Sequence, residues 1–153
     1  MTTPAQNDAS TGDRDRSLDH DSGPITILLA DRQVTVLRGL RMRLELETDF
    51  QVVGEANSLP LAKELIDRLQ PEVVLLDASL IKGLTTTELS DLRKISPRTG
   101  LVLHVLHSLD ARKRRILEEG SDLTLVKQDT GEALPNAIRE LIEGFRASDN
   151  RSA

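Results

Sequence analysis

Short apolar runs alternate with amphipathic segments along most of this chain, and that alternation restricts its fold more than any other feature. "ITILLA" (residues 25–30) is apolar throughout and has strand length. "VTVLRGLRMRLELET" (34–48) instead spaces Val36, Leu37, Leu40 and Leu44 at helical intervals, with Met42 a further candidate. Strand-like "QVVGEA" (51–56) precedes a helical segment, "LPLAKELIDRLQ" (59–70), with Ser58 placed as its cap. "EVVLL" (72–76) reads as a third strand, 85–95 as a helix, and "GLVLHVL" (100–106) as a fourth strand. "DARKRRILEEG" (110–120) is a helix stopped by Gly120. "LTLV" (123–126) is the fifth strand, and the last helix is expected over 130–146 with Pro135 near its first turn.

Strands that are apolar on both faces and separated by helices require a parallel sheet covered on each side. With right-handed crossovers, the expected fold is α/β, a doubly wound five-stranded parallel sheet in the order 2-1-3-4-5. The ordered domain should span 24–147. The first 23 residues, "MTTPAQNDASTGDRDRSLDHDSG", contain too little apolar surface to offset their ordering entropy and are expected to be a disordered tail. Residues 148–153 are expected to be a disordered end.

Composition removes several functions. The chain has no cysteine, so disulfides, thiolate catalysis and cysteine zinc sites are excluded. Phe50 and Phe145 are its only aromatic residues, which leaves no stacking platform for bases. A formal net charge of −5 argues against a dedicated DNA surface. No apolar run reaches membrane-spanning length and the N-terminus has no apolar signal segment; a cytoplasmic location with no membrane partner is expected.

In a sheet of this order, ligands bind beyond the carboxyl ends of the strands, at the switch point between strands one and three. Asp31 follows strand one, Asp77 ends strand three, and Lys127 ends strand five. These residues, distant in sequence, should meet at one crevice. Two readings of the trio are open. The carboxylates and lysine suit metal-assisted phosphoryl transfer to Asp77, or Asp77 caps its loop and Lys127 pairs with it.

"ILLADRQVTVLRGLRMRLELETDFQVVGEA", "PEVVLLDASL" and "EEGSDLTLVKQD" resemble, in order, the receiver domain of two-component response regulators. The likeness covers roughly 25–145 and is greatest to receivers that carry a LuxR-type helix-turn-helix. It implies the flavodoxin-like receiver fold and Mg²⁺-dependent phosphorylation of Asp77 by a histidine kinase or phosphotransfer protein. Asp77 becomes the implied phosphoacceptor, in an enzyme-like role no greater than self-phosphorylation, and Lys127 the implied phosphate contact.

The sequence departs from that family at several positions. Arg32 stands where the family has a second acid that ligates magnesium, which leaves Asp77, the Ser79 carbonyl and, through water, Asp31 as a degenerate metal site. Either the Arg32 guanidinium enters the crevice and pairs with Asp77, or it turns to solvent; the solvent-facing arrangement is expected. Val105 replaces the hydroxyl residue at the end of strand four, and Thr124 replaces the aromatic switch residue on strand five. The "SLIKG" loop lacks the usual proline. An atypical, pseudo-receiver-like module is therefore expected, one that acts through another signalling protein with weak or absent phosphorylation. The alternatives are a working phosphorelay receiver and a receiver fold reused for a different ligand at the switch-point crevice.

Other features are less specific. No output domain is seen in this chain, so it is expected to act in trans. "RKRR" (112–115) suits a docking face or a solvated helix face with Arg114–Glu118 and Arg115–Glu119 pairs. His104 is expected to be packed or hydrogen-bonded, and His107 to be a loop residue. Surplus apolar positions on the last helix would allow a homodimer face.

Overall fold

The computed structural model describes residues 23–82, 87–106, 110–127 and 131–152. Residues 1–22 of the expected N-terminal tail, the first residues of the third helix, His107 and the expected start of the last helix at 130 lie outside the described residues. The elements run β1 (Ile25–Ala30), α1 (Val34–Glu45), β2 (Phe50–Ala56), α2 (Leu59–Leu69), β3 (Val73–Asp77), a 3₁₀ turn (Ala78–Leu80), α3 (Thr87–Ile95), β4 (Gly100–Val105), α4 (Ala111–Gly120), β5 (Leu123–Val126) and α5 (Ala133–Ser152). Every strand pairing is parallel and the order is β2-β1-β3-β4-β5, the order expected from the alternation.

The period-two geometry of a strand divides the core into two layers. Ile27 and Leu29 of β1, with Val73 and Leu75 of β3, face a layer closed by Leu37, Leu40 and Leu44 of α1 and Leu134, Ile138 and Ile142 of α5. Leu28, Val74 and Leu76, with Leu101 and Leu103 of β4, face the opposite layer beneath α2 and α3, which Leu117 of α4 also joins. Each fully buried leucine or isoleucine contributes about 1.5–3 kcal/mol relative to exposure. Both faces of the sheet are therefore covered, which is why its central strands lack a polar alternation.

Local signals set the element ends. Ser58 caps α2 by accepting the Leu61 N–H at 3.3 Å, as expected. Gln70 closes that helix in the left-handed region, at φ 45°, and its side-chain amide donates to the Ile66 and Asp67 carbonyls. Asp110 lies just outside α4 and caps it by accepting the Lys113 N–H at 2.8 Å.

Two helix ends differ from expectation. α1 stops at Glu45 rather than continuing to residue 48. Glu47 and Asp49 are instead held by the Arg139 guanidinium on α5, at 2.9 and 2.8 Å, which pulls the chain out of the helix and into β2. Met42 is 66% exposed and takes no part in the core. At the other end, α5 runs to Ser152, through the segment expected to be disordered. No proline interrupts its later turns, and Arg146 secures them by donating to Glu72 at 2.7 and 3.1 Å and to the Gly23 carbonyl at 3.1 Å.

A lysine-bridged acidic crevice as the candidate functional site

Hydrophobic registry brings the polar groups together. β1 and β3 are adjacent, with Ala30 opposite Leu76, so the residues that follow these partners, Asp31 and Asp77, emerge side by side at the carboxyl edge. Both are buried, at 1% and 6% exposure. Two buried carboxylates placed side by side need a counter-charge. Lys127, immediately after β5, supplies it: its ammonium is 3.2 Å from Asp31 Oδ2 and 3.2 Å from Asp77 Oδ1. Burial pulls the ammonium pKa down, but the Asp77 and Asp31 hydrogen bonds and charges outweigh that and raise it above the ordinary lysine value.

The carboxylates are also satisfied locally. Asp31 Oδ1 accepts the Gln33 N–H at 2.9 Å. Asp77 Oδ1 accepts the Ser79 N–H at 3.4 Å, and Asp77 Oδ2 accepts the Ser79 hydroxyl. All four carboxylate oxygens thus already receive a protein donor. The crevice is held closed by these hydrogen bonds and by one shared cation.

Asp77 does cap the turn after β3, and Lys127 does pair with it, but Lys127 also bridges to Asp31. Arg32 is exposed and makes no ion pair among the described residues, in line with the solvent-facing expectation. The donor set fits a magnesium ion poorly. Mg²⁺ demands octahedral oxygen coordination, whereas the two carboxylates here share an ammonium and the residue after Asp31 is a cation, Arg32.

Val105 and Thr124, the positions where the resemblance implied switch residues, make structural contacts. Val105 is 1% exposed and belongs to the apolar layer that includes Leu117 of α4. The Thr124 hydroxyl lies 3.1 Å from that of Ser121, a local bond within the turn leading into β5.

Of the two arrangements expected for His104, packed or hydrogen-bonded, the structure has the packed one. The residue stands opposite Asp77 in the β3–β4 register, is 2% exposed, and neither ring nitrogen has a hydrogen-bond partner among the described residues. Burial pushes its pKa below the ordinary histidine value, assisted by the nearby Lys127 charge and opposed by Asp77 and Asp31. A lone histidine at the end of an apolar run does not announce such isolation; the register opposite Asp77 does. On α4, Arg115 pairs with Glu119 at 3.7 Å, and this is the one expected helix-face pair among the described ion pairs.

A doubly wound α/β domain with an acidic switch-point crevice and a lysine from its last strand is the class that this fold and site define. The chain is 28% identical over 130 residues to the nitrate/nitrite response regulator protein NarP of Escherichia coli (strain K12), covering 84% of this chain and 60% of that protein. It is 31% identical over 125 residues to the transcriptional regulatory protein DesR of Bacillus subtilis (strain 168), covering 80% and 60%. The signal receiver domain of the response regulator NarL from Mycobacterium tuberculosis superimposes with a TM-score of 0.70 at 24% identity, over 80% of this chain and 98% of that one. No family model matches the chain. The chain has the receiver fold, and its sequence is similar to the receiver part of LuxR-family response regulators. It spans between 51% and 60% of the length of these and the other curated relatives it matches.

Proposed function

We propose that this receiver works mainly by protein–protein contact, with weak or absent Mg²⁺-dependent phosphorylation of Asp77. The observation that carries this reading is the Lys127 ammonium held between Asp31 and Asp77 at 3.2 Å from each, in a crevice where Arg32 replaces an acid. A divalent ion entering there must displace or crowd that ammonium, and it has one carboxylate fewer to offset the loss of its own water. If a phosphoryl group did form on Asp77, Val105 would offer it no hydroxyl and Thr124 has no ring to move. Formation and readout are both impaired.

The partner is a histidine kinase, a phosphotransfer protein or another signalling protein. If the chain serves transcription, as DesR does by name, the part played by this domain is protein contact. Its basic run, residues 112–115, lies on a single helix of a chain with net charge −5, which suits a protein surface better than DNA. A specific observation favours a second reading, that of a working phosphorelay receiver: Asp31, Asp77 and Lys127 are all retained and meet in one crevice.

Beryllofluoride with Mg²⁺, a mimic of the phosphoryl group, tests between the two when followed by amide NMR. The expected result is little or no saturable shift around Asp77 in the wild type and a recovered response in Arg32→Asp. Saturable wild-type shifts that vanish in Asp77→Asn would overturn the proposal in favour of the relay.

A further inference from the structure

Beside the acidic crevice, on its α2 side, lies a second feature of opposite charge. A cavity of about 350 Å³ opens between the loops that follow β1, β2 and β3. Three cations from three separate segments line it: Arg32, Lys63 and Lys82. The only carboxylate in the lining is Glu88, and its Oε2 already accepts the Lys82 backbone N–H at 3.2 Å. Lys63 is only loosely engaged, 3.9 Å from Asp91, and Arg32 has no ion pair among the described residues. In a chain of net charge −5, three cations against one lining carboxylate are a local departure from the surface as a whole.

The remaining walls suit a ligand with a body as well as a charge. Leu59 and Leu80, both buried, form an apolar side. The first turn of α2 adds the positive end of its helix dipole, with Ser58 at the cap. A volume near the lower end of the usual range for small-molecule sites, about 300–1,000 Å³, fits a small metabolite rather than a peptide segment. Arg32, Lys63 and Lys82 give this lining the charge that a phosphate group attracts, and a guanidinium can bind phosphate through paired N–H donors.

We propose that this cavity binds a small organic phosphate, with the phosphate held by Arg32, Lys63 and Lys82 and the organic body against Leu59 and Leu80. Arg32 then has a positive role: the residue that removes an acid from the crevice builds the neighbouring site. The site does not depend on whether Asp77 is phosphorylated.

Amide NMR titration with adenosine monophosphate, inorganic phosphate and adenosine provides the test. Adenosine monophosphate should produce saturable shifts at Arg32, Lys63 and Lys82, and adenosine should not. An Arg32→Ser, Lys82→Ser variant with an otherwise unchanged amide spectrum should bind it at least about tenfold more weakly. Asp77→Asn should leave its affinity unaltered, which separates this site from the acidic crevice. The proposal is overturned if nothing saturates below about 10 mM, if the double variant binds as well as wild type, or if Asp77→Asn abolishes the shifts. Binding of inorganic phosphate as tightly as the nucleotide would overturn the organic part of the assignment.

Discussion

Lys127 reaches across 96 residues of sequence to place its ammonium 3.2 Å from Asp31 Oδ2, and the same ammonium holds Asp77 at an equal distance. Removing it leaves two buried carboxylates without a counter-charge. Lys127→Met should therefore destabilise the domain by about 2–4 kcal/mol, read as the shift in a urea midpoint at constant slope. Millimolar Mg²⁺ should restore part of that loss in the variant while leaving the wild type nearly unchanged, because the vacated position now favours a cation. An equal Mg²⁺ effect on both proteins would show that Lys127 does not compete for the metal.

The contacts of Val105 and Thr124 lead to a second expectation under the proposed function. Val105 is packed in the layer that includes Leu117, and Thr124 is bonded to Ser121, so neither is poised to follow a phosphoryl group. In the Arg32→Asp variant, beryllofluoride should shift amides close to Asp77 but leave those of α4 and β5 largely in place. Adding Val105→Thr should extend the shifts toward α4. Shifts that already reach α4 without the added threonine would mean that the domain transmits by another route.

His104 provides a pH dependence whose sign can be worked out. Its folded-state pKa lies below the ordinary value because burial disfavours the imidazolium. Between that lowered value and about 6.5, the unfolded chain binds a proton that the folded domain does not, so stability rises with pH through the window and falls as the solution is acidified. His104→Leu should flatten this segment of the urea-midpoint profile. An unaltered profile in the variant would place the dependence on other groups.

Arg139 ties α5 to the turn between α1 and β2. Its guanidinium bonds Asp49 and Glu47 and lies 4.8 Å from the centroid of the Phe50 ring. Arg139→Ala should cost about 1 kcal/mol, with part of the loss removed by salt, since the ion pairs are partly exposed while the ring contact is not screened in the same way. The hydrogen bonds from Arg139 also hold the Asp49 carboxyl below the usual range. This contribution is present above the ordinary aspartate pKa and lost as pH falls through the lowered one, so it should persist at about pH 4 in thermal melts of the wild type.

The alternation of apolar runs and helical periodicities was enough to predict the sheet, its strand order and the crevice at its switch point, because hydrophobic patterning and crossover handedness act locally and leave few arrangements. Asp31, Asp77 and Lys127 could be placed together on that basis alone. Where the ends of α1 and α5 fall could not be read in the same way: Arg139 and Arg146 reach Asp49 and Glu72, partners 90 and 74 residues away. The bridging of both carboxylates by one ammonium, the isolation of His104 opposite Asp77, and the gathering of Arg32, Lys63 and Lys82 around one cavity were decided by tertiary structure. Each depends on distances between segments far apart in the chain, and electrostatic and hydrogen-bond energies are set by those distances and by burial, neither of which a linear pattern contains.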